Sequence, residues 1–218
     1  MRRAASCLLL CLAIATPISA EQKDPIGRFA LDVRGLFARH KKEPTVAEGL
    51  GVETANLPTR SVGLAGGAHV YPFRAGKVAF GIGGEVAVAR GRKTLDIVAK
   101  DGTKTKGPTV ERHFMSLAPE VSLNFGHRRG WSYISGGMLG RAKLYAEGEE
   151  KAATPALMRK TVNYGGGARW FLKSHLAFSV DVRWYSIAEG PAPVSGIVPR
   201  LVQPKTTLLV ISGGISLK

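Results

Sequence analysis

The side chains that could do chemistry in this chain are few and scattered. Five histidines stand at His40, His69, His113, His127 and His175, and no two fall at metal-ligand spacing. Neither a metal centre nor a cofactor is therefore expected. One Ser, His and acid set invites a hydrolase reading, because His113 and Ser116 lie between Glu111 and Glu120. Residues three apart on a strand point to opposite faces, so this pair cannot meet and no catalysis is expected. The glycine groups Gly81, Gly83, Gly84 and Gly165, Gly166, Gly167 look like phosphate loops only in isolation. No helix follows either of them, so close backbone packing within a strand is the better account.

What remains is charge with a regular placement. Alternating segments collect Asp32, Arg34, Glu85, Glu120, Arg141, Lys143, Arg169, Asp181 and Arg183 on one face. Four acids and five bases enclosed together must pair, since desolvated charges need partners. The candidate site is thus an internal ion-pair network built from Glu85, Glu120, Arg141, Lys143, Arg169, Asp181 and Arg183, filling the space it faces.

The elements that would position these charges show period two and not 3.6. Phe29, Leu31, Val33, Gly35 and Phe37 oppose Asp32 and Arg34 within 28–39. The same design recurs over 61–73, 77–90, 113–125, 160–172, 175–186 and 205–218. Segment 131–145 is less regular, with Trp131 and Tyr133 on the wrong parity for its charges Arg141 and Lys143. The count is eight. Short connections, such as 74–76, 126–130 and 173–174, alternate with long ones at 40–60, 91–112, 146–159 and 187–204.

A soluble sandwich has no reason to gather its tight turns at one end, whereas a membrane barrel does. The expected fold is all-β: an eight-stranded antiparallel up-and-down transmembrane β-barrel. Phe29, Phe37, Phe80, Leu117, Phe125, Tyr164, Trp170, Phe178 and Trp184 would face outward. Glycine, at 27 of 218 residues, exceeds the usual ~7% and suits strands that curve into a closed wall.

Arg2 and Arg3, the apolar run 7–15 and the small residues before Glu21 read as a signal peptide over 1–20, leaving 21–218 as one barrel domain. The 31 basic and 16 acidic residues give a net charge of +15. Loss of Arg2 and Arg3 with the leader would take this to +13 and separate the chain from nucleic acid. The basic loop residues Arg39, His40, Lys41, Lys42, Arg90, Arg92, Lys93, Lys100, Lys104, Lys106, Arg112, Lys151, Arg159 and Lys160 would then lie beside lipid phosphates. The near-zero mean hydropathy of +0.02 excludes a helical membrane protein only, because alternating faces average out.

With these segments and connections, the chain resembles the small eight-stranded outer-membrane β-barrel proteins of the OmpA transmembrane-domain and OmpX kind, over 27–218. The resemblance is architectural. It implies an outer-membrane location, a monomer, contact with outer-membrane lipids including lipopolysaccharide, delivery by the outer-membrane assembly machinery, and a structural or surface-interaction role. Such barrels usually end on an aromatic residue, whereas this chain ends Ser216, Leu217, Lys218. The alternative is a soluble periplasmic β-barrel binding a lipid or other apolar ligand, in which the apolar face would point inward and the charges toward water.

Overall fold

The computed structural model describes residues 25–98, 102–148, 157–190 and 203–218. The expected leader and its cleavage point before Glu21 lie outside the described residues, as do Lys100 and Lys151.

Eight strands run up and down in chain order: β1 Phe29–Arg39, β2 Arg60–Ala75, β3 Val78–Val98, β4 Lys104–His127, β5 Gly130–Gly148, β6 Arg159–Phe171, β7 Leu176–Ile187 and β8 Thr206–Leu217. Each pairs antiparallel with the next, and β8 pairs with β1, so the sheet closes into a barrel. Closure removes both free edges.

The two faces are sorted as the alternation requires. Between the rings of outward aromatics, the outward positions carry Leu31 and Val33 on β1, Leu64 and Ala68 on β2, Ile82 and Val86 on β3, and Leu117 and Val121 on β4. They continue with Ile134 on β5, Gly166 and Ala168 on β6, Val182 on β7, and Ile211 and Ile215 on β8. Arg141 on β5, opposite Leu117, and Lys160 on β6, opposite Arg141, bound this band toward the long-loop end. Phe73 and Phe80 meet at 6.3 Å and Trp170 and Phe178 at 6.3 Å toward the short-turn end. Tyr164 and Trp184 stack at 5.9 Å toward the other.

The interior is filled in layers. At the short-turn end Ile26, Ala30, Tyr71, Ala79, Trp131 and Tyr133 form an apolar and aromatic floor. Charged side chains occupy the middle. Above them lie Leu36, Phe114, Leu144, Tyr185, Ile187 and Leu208. A short helix, α1 (Pro44–Leu50), covers the mouth by packing Ala47 and Leu50, with Leu57, against Val110 and Ala146. Pro at its first turn and left-handed Gly51 at its end (φ 68°) bound the helix. Eight strands leave an interior just wide enough for side chains, and here side chains occupy it.

Two expectations need correction. The connection expected as a loop over 91–112 is mostly strand: β3 and β4 continue past the rim as a paired hairpin, Arg92 opposite Glu111 and Thr94 opposite Thr109. The β-branched residues along it suit extended backbone. Second, Arg141 and Lys143 do not enter the lumen. β5 carries one extra residue between Gly137 and Gly140, because five β5 steps from Gly136 to Arg141 match four on β4 from Leu117 to Val121. This β-bulge leaves Met138 and Leu139, 81% and 79% exposed, side by side on the outside and reverses the parity. Trp131, Tyr133 and Ser135 point inward below the bulge, Ala142 and Leu144 above it, so Arg141 and Lys143 face out.

Two glycines show how the wall makes room for large interior groups. A Cβ on Gly167 would sit 2.2 Å from the Val180 carbonyl oxygen and 2.7 Å from the Tyr133 hydroxyl. One on Gly83 would sit 2.5 Å from the His69 ring.

Candidate functional site

Five of the seven expected network residues, Glu85, Glu120, Arg169, Asp181 and Arg183, meet in the central layer, joined by Asp32 and Arg34. All are almost fully buried. Arg169 on β6 donates to Asp32 on β1 through Nε at 3.0 Å and a terminal nitrogen at 2.6 Å, and Ser216 on β8 donates to the same carboxylate. Arg34 pairs with Glu85 and lies 3.4 Å from Asp181. Arg183 donates to Asp181 at 3.2 and 3.1 Å, to Ser135 at 3.1 Å and to Glu120.

Neutral groups complete the layer. Tyr133 donates to Asp181 at 2.8 Å and accepts from Arg34 at 3.2 Å, while the Arg169 guanidinium lies over its ring at 4.4 Å. Tyr185 donates to Glu85 at 2.7 Å and Asn163 to Glu120 at 2.6 Å. His69 on β2 faces Glu120 at 3.8 Å. Every strand thus contributes a side chain. Four carboxylates meet three guanidiniums, and His69 is the basic group that faces the surplus acid. The arrangement fits a cross-braced interior, since each carboxylate is held by side chains from other strands.

A second buried group sits under α1. Arg112 on β4 donates to the Lys41 carbonyl at 2.8 Å and to Glu43 at 2.7 Å. Arg159 on β6 donates to the carbonyls of Leu144, Ala188 and Pro204. Both arginines, expected in basic loops beside lipid phosphates, point into the mouth and fasten the chain that closes it. His40 also turns inward and shares a 2.7 Å hydrogen bond with Ser61. Burial first, and then the Arg112 charge, push the His40 pKa down from 6.5 to about 3. The ring is therefore neutral near pH 7, and both partners are buried. Twenty-one residues separate them, and only the loop's return over the mouth joins them.

His113 faces outward and Ser116 inward. His113 stacks on Tyr145 at 4.9 Å and holds Glu111 and Glu147 at 3.3 and 3.0 Å from its Nε2. These three could offer ligands to a metal ion. Glu111 is already engaged by Arg90 at 2.8 Å and lies 3.7 Å from Arg92, so the group is charge-compensated by its own neighbours.

A closed ring of eight antiparallel strands, apolar outside and ionic within, has the architecture of the small eight-stranded outer-membrane barrels. No protein-family model matches the chain, and no curated protein matches it in sequence. Among solved structures it is similar to Neisserial surface protein A, with 9% identity over 87% of this chain and 96% of that one and a TM-score of 0.48. It is also similar to the outer membrane protein OprG from Pseudomonas aeruginosa, with 13% identity over 90% and 97% and a TM-score of 0.46. A third is Ail, the attachment invasion locus protein of Yersinia pestis, solved with the heparin analogue sucrose octasulfate, with 12% identity over 88% and 99% and a TM-score of 0.44.

Proposed function

We propose that this chain is an integral outer-membrane barrel, exported by a leader over 1–20, that acts as a monomer in a structural or surface-interaction role without catalysis. The observation that carries this reading is the apolar outward face on all eight strands, set against the buried charges of Asp32, Arg34, Glu85, Glu120, Arg169, Asp181 and Arg183. A soluble barrel that holds an apolar ligand needs the reverse sorting. In lipid a closed barrel satisfies every backbone hydrogen bond, and an apolar exterior is the stable one. The filled interior and the covered mouth speak for a wall element over a conduit. The long-loop end would face the outside, where its cations meet lipopolysaccharide, and the assembly machinery would deliver the chain.

Fractionation tests this. The protein should pellet with outer membranes, resist extraction by osmotic shock, and migrate differently on gels before and after heating in mild detergent. Release with the periplasmic fluid would overturn it.

A further inference from the structure

The rim cations are not treated alike around the barrel. On β3 and β4, Arg90 and Arg92 are matched by Glu111. On β1 and β2, Arg39 stands directly opposite Arg60 in the register, both point outward, and Lys41 and Lys42 follow on the same side. Among the described residues none of these four has an ion-pair partner. The acid nearest in sequence, Glu43, is taken by Arg112 at 2.7 Å. Like charges directly opposite on neighbouring strands destabilise a sheet, so this pairing is unfavourable unless an anion lies over it.

The four cations line an outward-facing cleft of about 1100 Å³. Phe37, two residues below Arg39 on the outward face of β1, also lines it, as do Leu209 on β8 and Trp184 on β7, which continue the register from Arg39. Cations and apolar groups side by side, at the edge of the apolar band, make the cleft amphiphilic. A free anion would leave the apolar groups against water, and a neutral lipid would leave the arginines unmatched. Two guanidiniums and two ammonium groups suit a phosphate, which each arginine can grip through paired donors.

Building on the outer-membrane reading above, we propose that this cleft is a binding site for a phosphorylated outer-leaflet lipid, with a lipid A phosphate under Arg39, Arg60, Lys41 and Lys42 and an acyl chain along Phe37 and Trp184. The site orients the barrel against the long-loop leaflet and neutralises the facing arginines.

The test uses the full chain folded in detergent and titrated with bisphosphorylated lipid A, followed by native mass spectrometry. Wild type should bind one lipid A tightly. The double variant Arg39→Gln, Arg60→Gln should bind at least about tenfold more weakly, with its heat-dependent gel shift intact. Arg74→Gln, Lys77→Gln at the opposite end should bind like wild type. Equal binding of dephosphorylated lipid A, equal binding of phosphatidylglycerol, competition by inorganic phosphate alone, or unchanged affinity in the double variant would each overturn the site. A chain that folds into phosphatidylcholine vesicles with a trypsin-protected core yet ignores lipid A rejects this site and leaves the barrel reading standing. A chain that stays in the aqueous phase rejects both.

Discussion

Arg169 on β6 and Asp32 on β1 are joined by two hydrogen bonds, at 3.0 and 2.6 Å, across 137 residues of sequence and between strands that are not neighbours in the sheet. This contact crosses the lumen and braces one wall against another. Removing one member leaves a buried charge without its partner, which is far more damaging than removing both. Asp32→Ala or Arg169→Met alone should destabilise the barrel by about 3 to 5 kcal/mol in urea unfolding, and the double variant should recover much of that loss. Additive losses would show that the two do not act as a pair.

The bulge in β5 makes an unusual deletion tolerable. Removing Leu139 leaves β5 with the same number of steps as β4 between the flanking pairs. Ala142 and Leu144 then stay inward and Arg141 and Lys143 outward. The deletion variant should retain the heat-dependent gel shift, whereas deletion of Ile134 should abolish it by sliding Trp131 and Tyr133 out of register. Arg141→Ala and Lys143→Ala should each change stability by less than about 0.5 kcal/mol, whereas Arg183→Ala should lose about 3 to 5 kcal/mol.

His40 couples the covered mouth to pH. Its folded pKa of about 3 lies below the ordinary 6.5, so between those values the unfolded chain binds a proton that the folded chain does not. Stability is complete above pH 6.5 and falls as pH drops, by about 1.4 kcal/mol per unit. Thermal unfolding should therefore show a loss on the order of 2 kcal/mol between pH 7.5 and pH 5 that His40→Gln largely removes. An identical pH response in the variant would sink the assignment.

The layered interior also sets an electrical expectation. In planar bilayers the chain should give no large, stable single-channel steps, because the floor, the ionic layer and the α1 cover lie in series along the axis. Steps of porin size would contradict the packing.

Most of this site could be read from alternation alone wherever one strand kept one register. Glu85 and Glu120 lie between apolar outward neighbours, and so do Asp181 and Arg183, so counting by twos put them inside. The same counting misplaced Arg141 and Lys143, because a bulge changes parity without changing composition. Its trace was present in the off-parity Trp131 and Tyr133 and in the adjacent apolar pair Met138 and Leu139. The partners Tyr133, Tyr185, Asn163 and His69 were illegible, since which side chains meet across a lumen depends on stagger around the whole ring. The inward turn of His40, Arg112 and Arg159 was hidden for another reason: a basic residue in a loop reads as solvated until the loop is seen to fold over the mouth.

The ionic layer draws on all eight strands, and this constrains the order of assembly. An open sheet lacking β8 would lack Ser216 against Asp32, and one lacking β1 would lack Asp32 against Arg169 and Arg34 against Glu85. The sheet lacking β1, on entering hydrocarbon, would carry Arg169 with no counter-charge. Passage into the bilayer and meeting of the first and last strands are thereby coupled into one kinetic event, with the charges acting as a latch that engages only when the circle is complete.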